Sequence, residues 1–333
     1  MNRRELVIEV TRGDFVESRH QVVAVISDAK GKRHSQWGDA DQLVFPRSTA
    51  KPLQALPLML SGAAEALNLS QQQLAMACSS HNGEVQHSHL VNSWLEQLGM
   101  GSEQLECGSH WPLYQPATVA LSRSGVQACA VHNNCSGKHC GFLSFAHHQG
   151  IDTKGYIDHQ HPVQQAVNDA MGRMMDLKIA DHPMGIDGCS IPTYALPLPN
   201  LAMAFARFGT GEQLPDDWQK ACHSLYQAMV AEPFYVAGSE RHCTKVMQAY
   251  GGQVACKTGA EGVFGAAIPH LGLGIALKAL DGNSRAAEVA LNVLLDHLQI
   301  KPTEPLFAPH IALYNRNKMH VSNVQVASSM TSK

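Results

Sequence analysis

Strand-like segments lie at both ends of this chain and helical segments lie between them, and this order constrains the fold most. Residues 5–12 and 21–27 are rich in β-branched residues and alternate in polarity, and residues 254–257, 263–268 and 274–280 have strand character as well. A helical pattern over residues 284–298 follows the second group. Helical periodicity also marks residues 52–67, the segment after Ser70, and residues 84–98, 141–148, 162–175 and 216–232.

This arrangement predicts an α+β fold. We expect the terminal strands to pair into one antiparallel sheet, packed between the last helix on one face and the helical middle on the other. No internal repeat, low-complexity linker or charge block marks a domain boundary, so residues 1–325 are predicted to form a single domain. Residues 326–333 are predicted to be a disordered tail.

The charge balance argues against several kinds of partner. The 333 residues include 25 basic and 28 acidic ones, and no run of Lys or Arg is long enough to follow a phosphate backbone, so no nucleic acid is expected to bind. No segment approaches the roughly 20 apolar residues that cross a bilayer, and the first ten residues lack the apolar core of a secretory signal. Nine cysteines, an odd number, fit reduced thiols better than a disulfide framework. We therefore expect a cytoplasmic protein without membrane partners.

The first motif with chemical potential is Ser48-x-x-Lys51, immediately before a helical pattern. Three-residue spacing places both side chains on one side of a helical turn, within reach of each other. A neutral lysine there could take the serine proton, and burial, a nearby cation or a helix N-terminus would lower its pKa from about 10.4. Pro52 disfavours α geometry at Lys51 and favours a tight turn ahead of the helix. A serine cap beside a solvated lysine is the alternative for this motif alone.

Two further motifs follow in a specific order. Ser80-x-Asn82 lies in a polar stretch between two helical segments, where it could equally be a helix stop and cap. Lys257-Thr258-Gly259 ends a strand, and its glycine allows a ligand to approach the backbone closely. Together with Ser48-x-x-Lys51, this order resembles the motifs of penicillin-recognising serine hydrolases, which converge on one acyl-transfer site. The spacing differs, because Ser80 follows Ser48 closely in the chain.

Two more segments stand out: residues 132–141 concentrate cysteine, histidine and glycine, and residues 185–194 contain Cys189 close to two glycines. Thiolates and imidazoles at this density could hold zinc, but neither segment contains a paired Cys-x-x-Cys, so structural thiols remain the alternative. Asp187 lies in a glycine-bounded stretch that suits either a turn or an orienting carboxylate.

Taken together, these five segments closely resemble the asparaginase II family, also described as class 3 or rhizobial-type L-asparaginases. The resemblance runs from about residue 5 to about residue 325 and is carried by residues 45–57, 78–84, 133–143, 185–198 and 257–263. It implies a fold similar to that of serine β-lactamases and glutaminases, a homodimer, and hydrolysis of L-asparagine to L-aspartate and ammonia.

The resemblance also implies roles for individual residues. Two Ser-Lys pairs, Ser48 with Lys51 and Ser80 with Lys257, share one site. Either serine could attack first; on mechanistic grounds we assign Ser48 as the nucleophile with Lys51 as its base, and Ser80 with Lys257 as the relay of protons. One zinc ion per chain is expected beside them, with Cys135, Lys138 and Cys189 as its ligands. Asp187 resembles the family's orienting carboxylate, and the residues of matching segments that could hold the charged ends of the substrate are Arg47, Asn82, His139 and Glu261. Cys140 and Thr49 depart from the family pattern and affect the expectation for fine specificity only.

Other functions fit parts of the sequence. A glutaminase or another amidohydrolase of the same fold would be recognised by comparing asparagine with glutamine as substrates. A β-lactam or ester hydrolase would turn over a chromogenic β-lactam. A thiol-rich metal-binding or redox module, the non-enzymatic alternative, would release no ammonia from any amide.

Overall fold

The structure is a computed structural model that describes residues 5–303 and 309–327. Its strands, in chain order, are β1 Leu6–Arg12, β2 Phe15–Asp28, β3 Arg33–Trp37, β4 Leu43–Val44, β5 Met184–Ile186, β6 Pro192–Tyr194, β7 Leu196–Pro197, β8 Ala255–Gly259, β9 Val263–Ile268, β10 Leu273–Ala279, β11 Ile311–Tyr314 and β12 His320–Val326. The main sheet has the order β11-β12-β1-β2-β10-β9-β8, with β3 also paired to β2. Two small sheets pair β4 with β7 and β5 with β6.

Strands from the two ends of the chain pair directly, which confirms the predicted antiparallel sheet. Ile8 of β1 lies opposite Val326 of β12, and Ala24 of β2 lies opposite Leu277 of β10. Because β12 ends at Val326, the sheet reaches the first residue of the predicted tail. Residues 328–333 of that tail lie outside the described residues.

The structure extends the predicted strands and adds others. Strand β2 begins at Phe15 rather than at residue 21, and its first residues alternate between exposed and half-buried. Strands β3 and β12 were not predicted. These stretches consist mostly of polar residues, so they lack the regular apolar alternation by which a strand is recognised.

The helices occupy the middle of the chain and its last third. They are α1 Lys51–Gln54, α2 Leu56–Leu60, α3 Ala63–Ala66, α4 Gln71–Ala77, α5 Val85–Gln97, α6 Gln115–Arg123, α7 Ser136–Gln149, α8 Pro162–Met175, α9 Leu198–Thr210, α10 Asp216–Ala231, α11 Pro233–Val236, α12 His242–Ala249 and α13 Ser284–His297. The single helix predicted over residues 52–67 is instead three short ones. Pro57 lies at the start of α2, and Gly62 has a left-handed φ of 80° just before α3.

Helix α7 begins at Ser136, five residues earlier than predicted. The glycine at position 137 lowers intrinsic helix propensity, so this turn was not recognised in the sequence. The structure gives a reason for that glycine. A Cβ atom at Gly137 would lie 2.5 Å from the backbone oxygen of Met76, so only glycine lets α7 pack this closely against α4.

Helices cover both faces of the main sheet, as predicted. Gly265 of β9 lies against the ring of Phe205 in α9. Its neighbour Phe264 points to the opposite face, because successive strand residues alternate. There Phe264 contacts the ring of His242, which is hydrogen-bonded to Asn292 of α13.

This layering determines where Lys257 points. Lys257 of β8 lies directly opposite Gly265 in the sheet. Directly opposed residues share a face, so Lys257 points towards α9 and the helical middle, where the other motifs lie. In the described part of the chain, no helix is long and apolar enough to cross a membrane.

Candidate active site

Two buried lysines meet at the hydroxyl group of Ser80. The Lys51 Nζ atom lies 2.9 Å from Ser80 Oγ, and the Lys257 Nζ atom lies 2.8 Å from the same oxygen. Each lysine is only 1% exposed. The predicted pairing of Ser80 with Lys257 is therefore present. Lys51 joins this pair, and we call the three side chains the serine–lysine cluster.

Three separate parts of the fold position this cluster. Lys51 is the first residue of α1, Ser80 lies in the connection between α4 and α5, and Lys257 lies in β8. The backbone N–H of Ser80 donates to the carbonyl oxygen of Val236 at 2.9 Å, which holds the connection against α11. The Ser80 carbonyl oxygen in turn accepts a hydrogen bond of 3.4 Å from Arg241.

The predicted contact between Lys51 and Ser48 is replaced by other contacts. The Lys51 amine donates to the Ser79 carbonyl oxygen at 2.6 Å, to Ser80 Oγ, and to Cys135 Sγ at 3.1 Å. A buried lysine needs an acceptor for each of its hydrogens, and these three supply them. The structure shows no hydrogen bond between the side chains of Ser48 and Lys51, although it describes both.

Ser48 nevertheless lies close to the strand that carries Lys257. It is half-buried in a single 3-10 turn, Arg47–Ala50, that packs against the end of β8. A Cβ atom at Gly259 would lie 2.6 Å from the Pro46 carbonyl oxygen, so this glycine is required for the close approach. The turn that carries Ser48 and the strand that carries Lys257 are thus neighbours.

The environment of Lys257 favours a neutral amine. Burial and the positive charge of Lys51 lower the pKa of Lys257 to about 7. The Arg241 guanidinium acts in the same direction, whereas Cys243 and Cys135 oppose it. The lowered pKa increases the fraction of neutral Lys257 near neutral pH, so this lysine can accept a proton.

A second cluster, which we call the sulfur cluster, consists of Cys135, Lys138 and Cys189. Cys135 is the N-cap of α7, Lys138 lies in its first turn, and Cys189 lies in the loop between β5 and β6. The Lys138 Nζ atom lies 2.9 Å from Cys189 Sγ. Since Cys135 also contacts Lys51, the sulfur cluster adjoins the serine–lysine cluster.

The charges within the sulfur cluster differ from those around Ser80. A hydrogen bond from the Cys189 thiol outweighs burial and holds the pKa of Cys135 well below its usual value. The same hydrogen bond, together with burial, raises the pKa of Cys189. Burial alone would lower the pKa of Lys138, but Cys189 and Cys135 outweigh it and the pKa is raised. These shifts favour the deprotonated form of Cys135 and the protonated forms of Cys189 and Lys138.

The donor atoms of the sulfur cluster are of the kind that zinc prefers. Two sulfurs and one amine nitrogen match its N/S ligand chemistry. Among residues 5–303 and 309–327, no group of three His, Cys, Asp or Glu side chains is placed to hold a metal ion. A metal ion here would therefore need the Lys138 amine as its third ligand.

Arg47 and Asp187 form an ion pair beside these clusters. Two guanidinium nitrogens of Arg47 lie 2.7 Å from Asp187 Oδ1. Burial would raise the pKa of Asp187, but the charges of Lys138 and Arg47 lower it overall, so the carboxylate is ionised. Arg47 has a left-handed φ of 50°, a conformation that costs about 1–3 kcal/mol in a non-glycine residue and is often found at functional sites.

The other predicted substrate-binding residues lie in different surroundings. His139 is fully buried in α7 next to Lys138, and burial together with the charges of Lys138 and Lys51 lowers its pKa well below the usual value. The Asn82 side chain is engaged by Glu84, Ser239 and Arg241, so it holds the Ser80 connection in place.

Glu261 is not brought to either cluster. It is exposed in the turn between β8 and β9, where its carboxylate lies beside Gly282 and its backbone oxygen accepts from Lys278. Lys257 stands four residues earlier in the same hairpin, but its side chain extends to Ser80.

Two residues near Lys257 were missed in the sequence. Arg241 contacts both Ser80 and Asn82, although it belongs to no recognisable motif. Cys243, which resembles an ordinary core thiol in the sequence, accepts a hydrogen bond from the Thr258 N–H at 3.3 Å. Burial raises the pKa of Cys243, but a hydrogen bond from Cys256 and the charge of Lys257 lower it to about 7. No sequence signal links these residues to Lys257, because they become neighbours only when α12 packs beside β8.

Known structures of similar fold share little sequence with this chain. Mglu in its glutamate form is 12% identical, with 84% of this chain and 61% of that chain covered and a TM-score of 0.48. A β-lactamase from Mycobacterium bovis is 13% identical, with 83% and 93% covered and a TM-score of 0.45. A D-alanine carboxypeptidase from Burkholderia cenocepacia is 13% identical, with 81% and 90% covered and a TM-score of 0.39. This chain spans less than two thirds of the length of Mglu.

Sequence comparison gives a more specific result. No curated protein matches the chain significantly. The family model described as L-asparaginase II, in contrast, matches residues 8–329, which is nearly the whole chain and includes every motif that meets at the two clusters. The chain therefore belongs to the L-asparaginase II family.

Proposed function

We propose that this protein hydrolyses L-asparagine to L-aspartate and ammonia through a serine nucleophile and an acyl-enzyme. Family membership supports the reaction class. The observation that carries the proposal is the contact of two buried lysine amines with one serine hydroxyl, at 2.9 and 2.8 Å. Such an arrangement can move protons between buried side chains.

The proton relay gives each residue of the cluster a role. When Lys257 is neutral, it accepts the hydroxyl proton of Ser80 while Ser80 accepts a proton from Lys51. Lys51 is then neutral and can take the proton of Ser48, whose oxygen attacks the side-chain carboxamide carbon of asparagine. This assigns Ser48 as nucleophile, Lys51 as its base, and Ser80 with Lys257 as the relay.

The reverse proton movement completes the reaction. An amide has a poor leaving group, so its nitrogen must be protonated before the C–N bond breaks. The proton returns through Lys51 to that nitrogen, ammonia leaves, and an aspartyl ester on Ser48 remains. Water then attacks the ester carbon and gives up a proton to the same relay, and the Ser48 hydroxyl is restored as aspartate departs. Backbone N–H groups of Ser48 and of the turn after Lys257 are the proposed donors to the oxyanion.

The charged ends of the amino-acid substrate need partners of opposite sign. Arg47 and Asp187, which are paired in the structure, are proposed to bind the carboxylate and the ammonium group respectively. His139 is proposed to donate a hydrogen bond beside them. Asn82 is proposed to act by positioning Ser80, since its amide is occupied by protein contacts.

The zinc ion predicted for the family is proposed to bind at the sulfur cluster. Cys135, Lys138 and Cys189 would hold it, and the buried positions of the three donors support this. When bound, zinc would supply positive charge that helps hold and orient the substrate. The Lys138 amine would have to release its proton to become a ligand.

A homodimer in the cytoplasm is also proposed. In support, helix α6 contains no buried residue, although Val119 and the flanking Trp111, Leu113 and Val126 are large apolar side chains exposed to solvent. An apolar surface of this kind favours coverage by a second chain. Light scattering should give twice the mass of one chain, and Leu113→Asp should give a monomer. A wild-type monomer would contradict the dimer.

Ammonia release from a panel of amides tests the reaction. Asparagine should be hydrolysed fastest, glutamine more slowly, and a chromogenic β-lactam not at all. Faster release from glutamine would assign the protein as a glutaminase, and no release from any amide would contradict an amidohydrolase.

Two measurements on Ser48 test the mechanism. Ser48→Ala should fold normally and lose at least about 10³-fold in turnover. Mass analysis of wild-type enzyme quenched during turnover should find the aspartyl adduct on the peptide that contains Ser48. An adduct on the Ser80 peptide would make Ser80 the nucleophile, a role that its two lysine contacts would then explain.

A further inference from the structure

His139 has one ring nitrogen in a hydrogen bond and one without a partner. Its side chain is 0% exposed, and Nδ1 lies 2.6 Å from the hydroxyl oxygen of Tyr156. The other nitrogen, Nε2, has no hydrogen-bond partner among residues 5–303 and 309–327. Buried polar atoms are almost always paired, so an unpaired one beside two functional clusters indicates a position for a ligand atom.

The contacts of Tyr156 decide which nitrogen of His139 carries the hydrogen. The backbone N–H of Glu106 donates to the Tyr156 hydroxyl oxygen at 2.9 Å. In the described part of the chain, His139 Nδ1 is the acceptor within reach of the hydroxyl hydrogen. Nδ1 therefore accepts, and a neutral imidazole that accepts at Nδ1 carries its hydrogen at Nε2.

Tyr156 is held in this orientation by other parts of the protein. It is 0% exposed, and its carbonyl oxygen accepts a hydrogen bond of 2.9 Å from the Gln164 side chain. The N–H of the preceding Gly155 donates to the carboxylate of Glu106 at 2.8 Å. The rings of Tyr156 and His139 meet edge to face, with centroids 5.4 Å apart. The hydroxyl group is thus oriented independently of His139.

The position of His139 in α7 relates it to the sulfur cluster. His139 is one turn beyond Cys135, and its backbone N–H donates to the Cys135 carbonyl oxygen at 3.1 Å. Residues four apart lie on the same helix face, so His139 shares a face with Cys135, whose sulfur contacts Lys51. Neither sulfur of the sulfur cluster accepts from Nε2 in the described structure.

We propose that Tyr156 is a positioning residue that holds His139 with its hydrogen on Nε2, so that this N–H donates to an oxygen of the bound amino-acid substrate. The identity of the substrate rests on the proposed function, whereas the position of the ring hydrogen does not.

Nuclear magnetic resonance of protein with ¹⁵N-labelled histidine tests the position of the hydrogen directly. A ring nitrogen that carries hydrogen and one that does not have clearly different chemical shifts, and the signals that disappear in His139→Gln identify His139. The wild-type protein should carry the hydrogen on Nε2, and Tyr156→Phe should shift it partly to Nδ1. Hydrogen on Nδ1 in the wild-type protein, or no change in Tyr156→Phe, would overturn the proposal.

Kinetics tests the contact with substrate. Tyr156→Phe should raise KM for asparagine about 3- to 10-fold with a smaller change in kcat. His139→Gln, whose amide nitrogen can reach the position of Nε2, should raise KM less than His139→Asn, whose shorter side chain cannot. Equal effects of the two His139 variants, or a KM unchanged in Tyr156→Phe, would remove the substrate contact from the proposal.

A matched control separates this effect from the loss of any buried hydroxyl. Tyr226 of α10 is also buried, and its hydroxyl donates at 2.8 Å to the Gly252 carbonyl oxygen rather than to a residue of either cluster. Tyr226→Phe should leave KM and the His139 signals unchanged. If the wild-type protein released no ammonia from any amide, the proposed function would fail, and the resonance measurement would still decide the role of Tyr156.

Discussion

Lys138 and Lys257 are both completely buried, yet their pKa values shift in opposite directions. Burial lowers the pKa of Lys257 to about 7, and the positive charge of Lys51 acts in the same direction. Burial also acts on Lys138, but there the sulfurs of Cys189 and Cys135 outweigh it and raise the pKa. The charge of a buried lysine thus depends on the sign of its neighbours as much as on the loss of water.

This difference separates two tasks within one site. A lysine beside another cation and a hydroxyl group is available as a base near neutral pH. A lysine beside two sulfurs keeps its proton until another cation takes the place of that proton. This property suits the proposed exchange of the proton for a metal ion. The comparison predicts that substitutions around Ser80 and substitutions in the sulfur cluster change the kinetics of the enzyme in different ways.

The largest effect is expected when the base is removed. Lys257→Met should fold and lose about 10²- to 10⁴-fold in kcat, because the relay has no acceptor. Lys257→Arg should be as inactive, since a guanidinium stays charged in proteins. Lys245→Met, which changes an exposed lysine of α12, is the control and should keep full activity. An active Lys257→Arg variant would show that no neutral amine is needed at this position.

Removal of a ligand from the sulfur cluster should have a smaller effect and a different kinetic form. Wild-type protein should contain about one zinc per chain, and Cys189→Ala should lose this zinc. The variant should also raise KM for asparagine by at least about 10- to 100-fold, because losses of this size are typical even when a residue that only supports a metal ligand is replaced. Ser48 should still be acylated.

Cys222→Ala, which changes a fully buried cysteine of α10, is the control and should keep both zinc and activity. Zinc retained in Cys189→Ala, or no zinc in the wild-type protein after zinc is supplied, would return these thiols to a structural role.

The pH dependence of kcat/KM should reflect the lowered pKa of Lys257. The protonated form cannot accept a proton, so kcat/KM should fall about tenfold per pH unit below about 7 and reach a plateau above it.

Two variants sharpen this test because they should move the midpoint of the pH profile of kcat/KM in opposite directions. Arg241→Gln removes a positive neighbour and should move it to higher pH, whereas Cys243→Ala removes an opposing neighbour and should move it to lower pH. A midpoint near 10.4, the ordinary lysine value, would contradict the lowered pKa.

The smallest effect is expected at Glu261. Because its side chain lies at the tip of the β8–β9 hairpin beside Gly282, Glu261→Gln should change kcat and KM by less than about twofold, as is usual for surface positions away from a site. Asp187→Asn, which breaks the ion pair with Arg47, is the contrasting variant and should raise KM clearly. A large loss in Glu261→Gln would place this carboxylate in the substrate site.

The strands and helices that the sequence reveals are those with a clear apolar pattern. Helix α8 was predicted with its observed bounds, and β9 likewise. Helices α6 and α9 were not predicted: α6 has no buried residue, whereas α9 is buried along nearly its whole length. Strand β12 pairs with β1, some 300 residues away in the chain, and β11 joins the sheet by pairing with β12.

The sequence by itself determined the reactive residue types, their order and the family, because each motif is a short run of neighbouring residues. Only the tertiary structure decided which side chains meet. Lys51 reaches Ser80, 29 residues ahead, rather than Ser48, and Lys257 reaches the same hydroxyl across 177 residues. Local spacing constrains contacts within about one helical turn. A buried amine, however, takes whichever acceptors the packed elements place around it, and here those acceptors come from the α4–α5 connection and from α7.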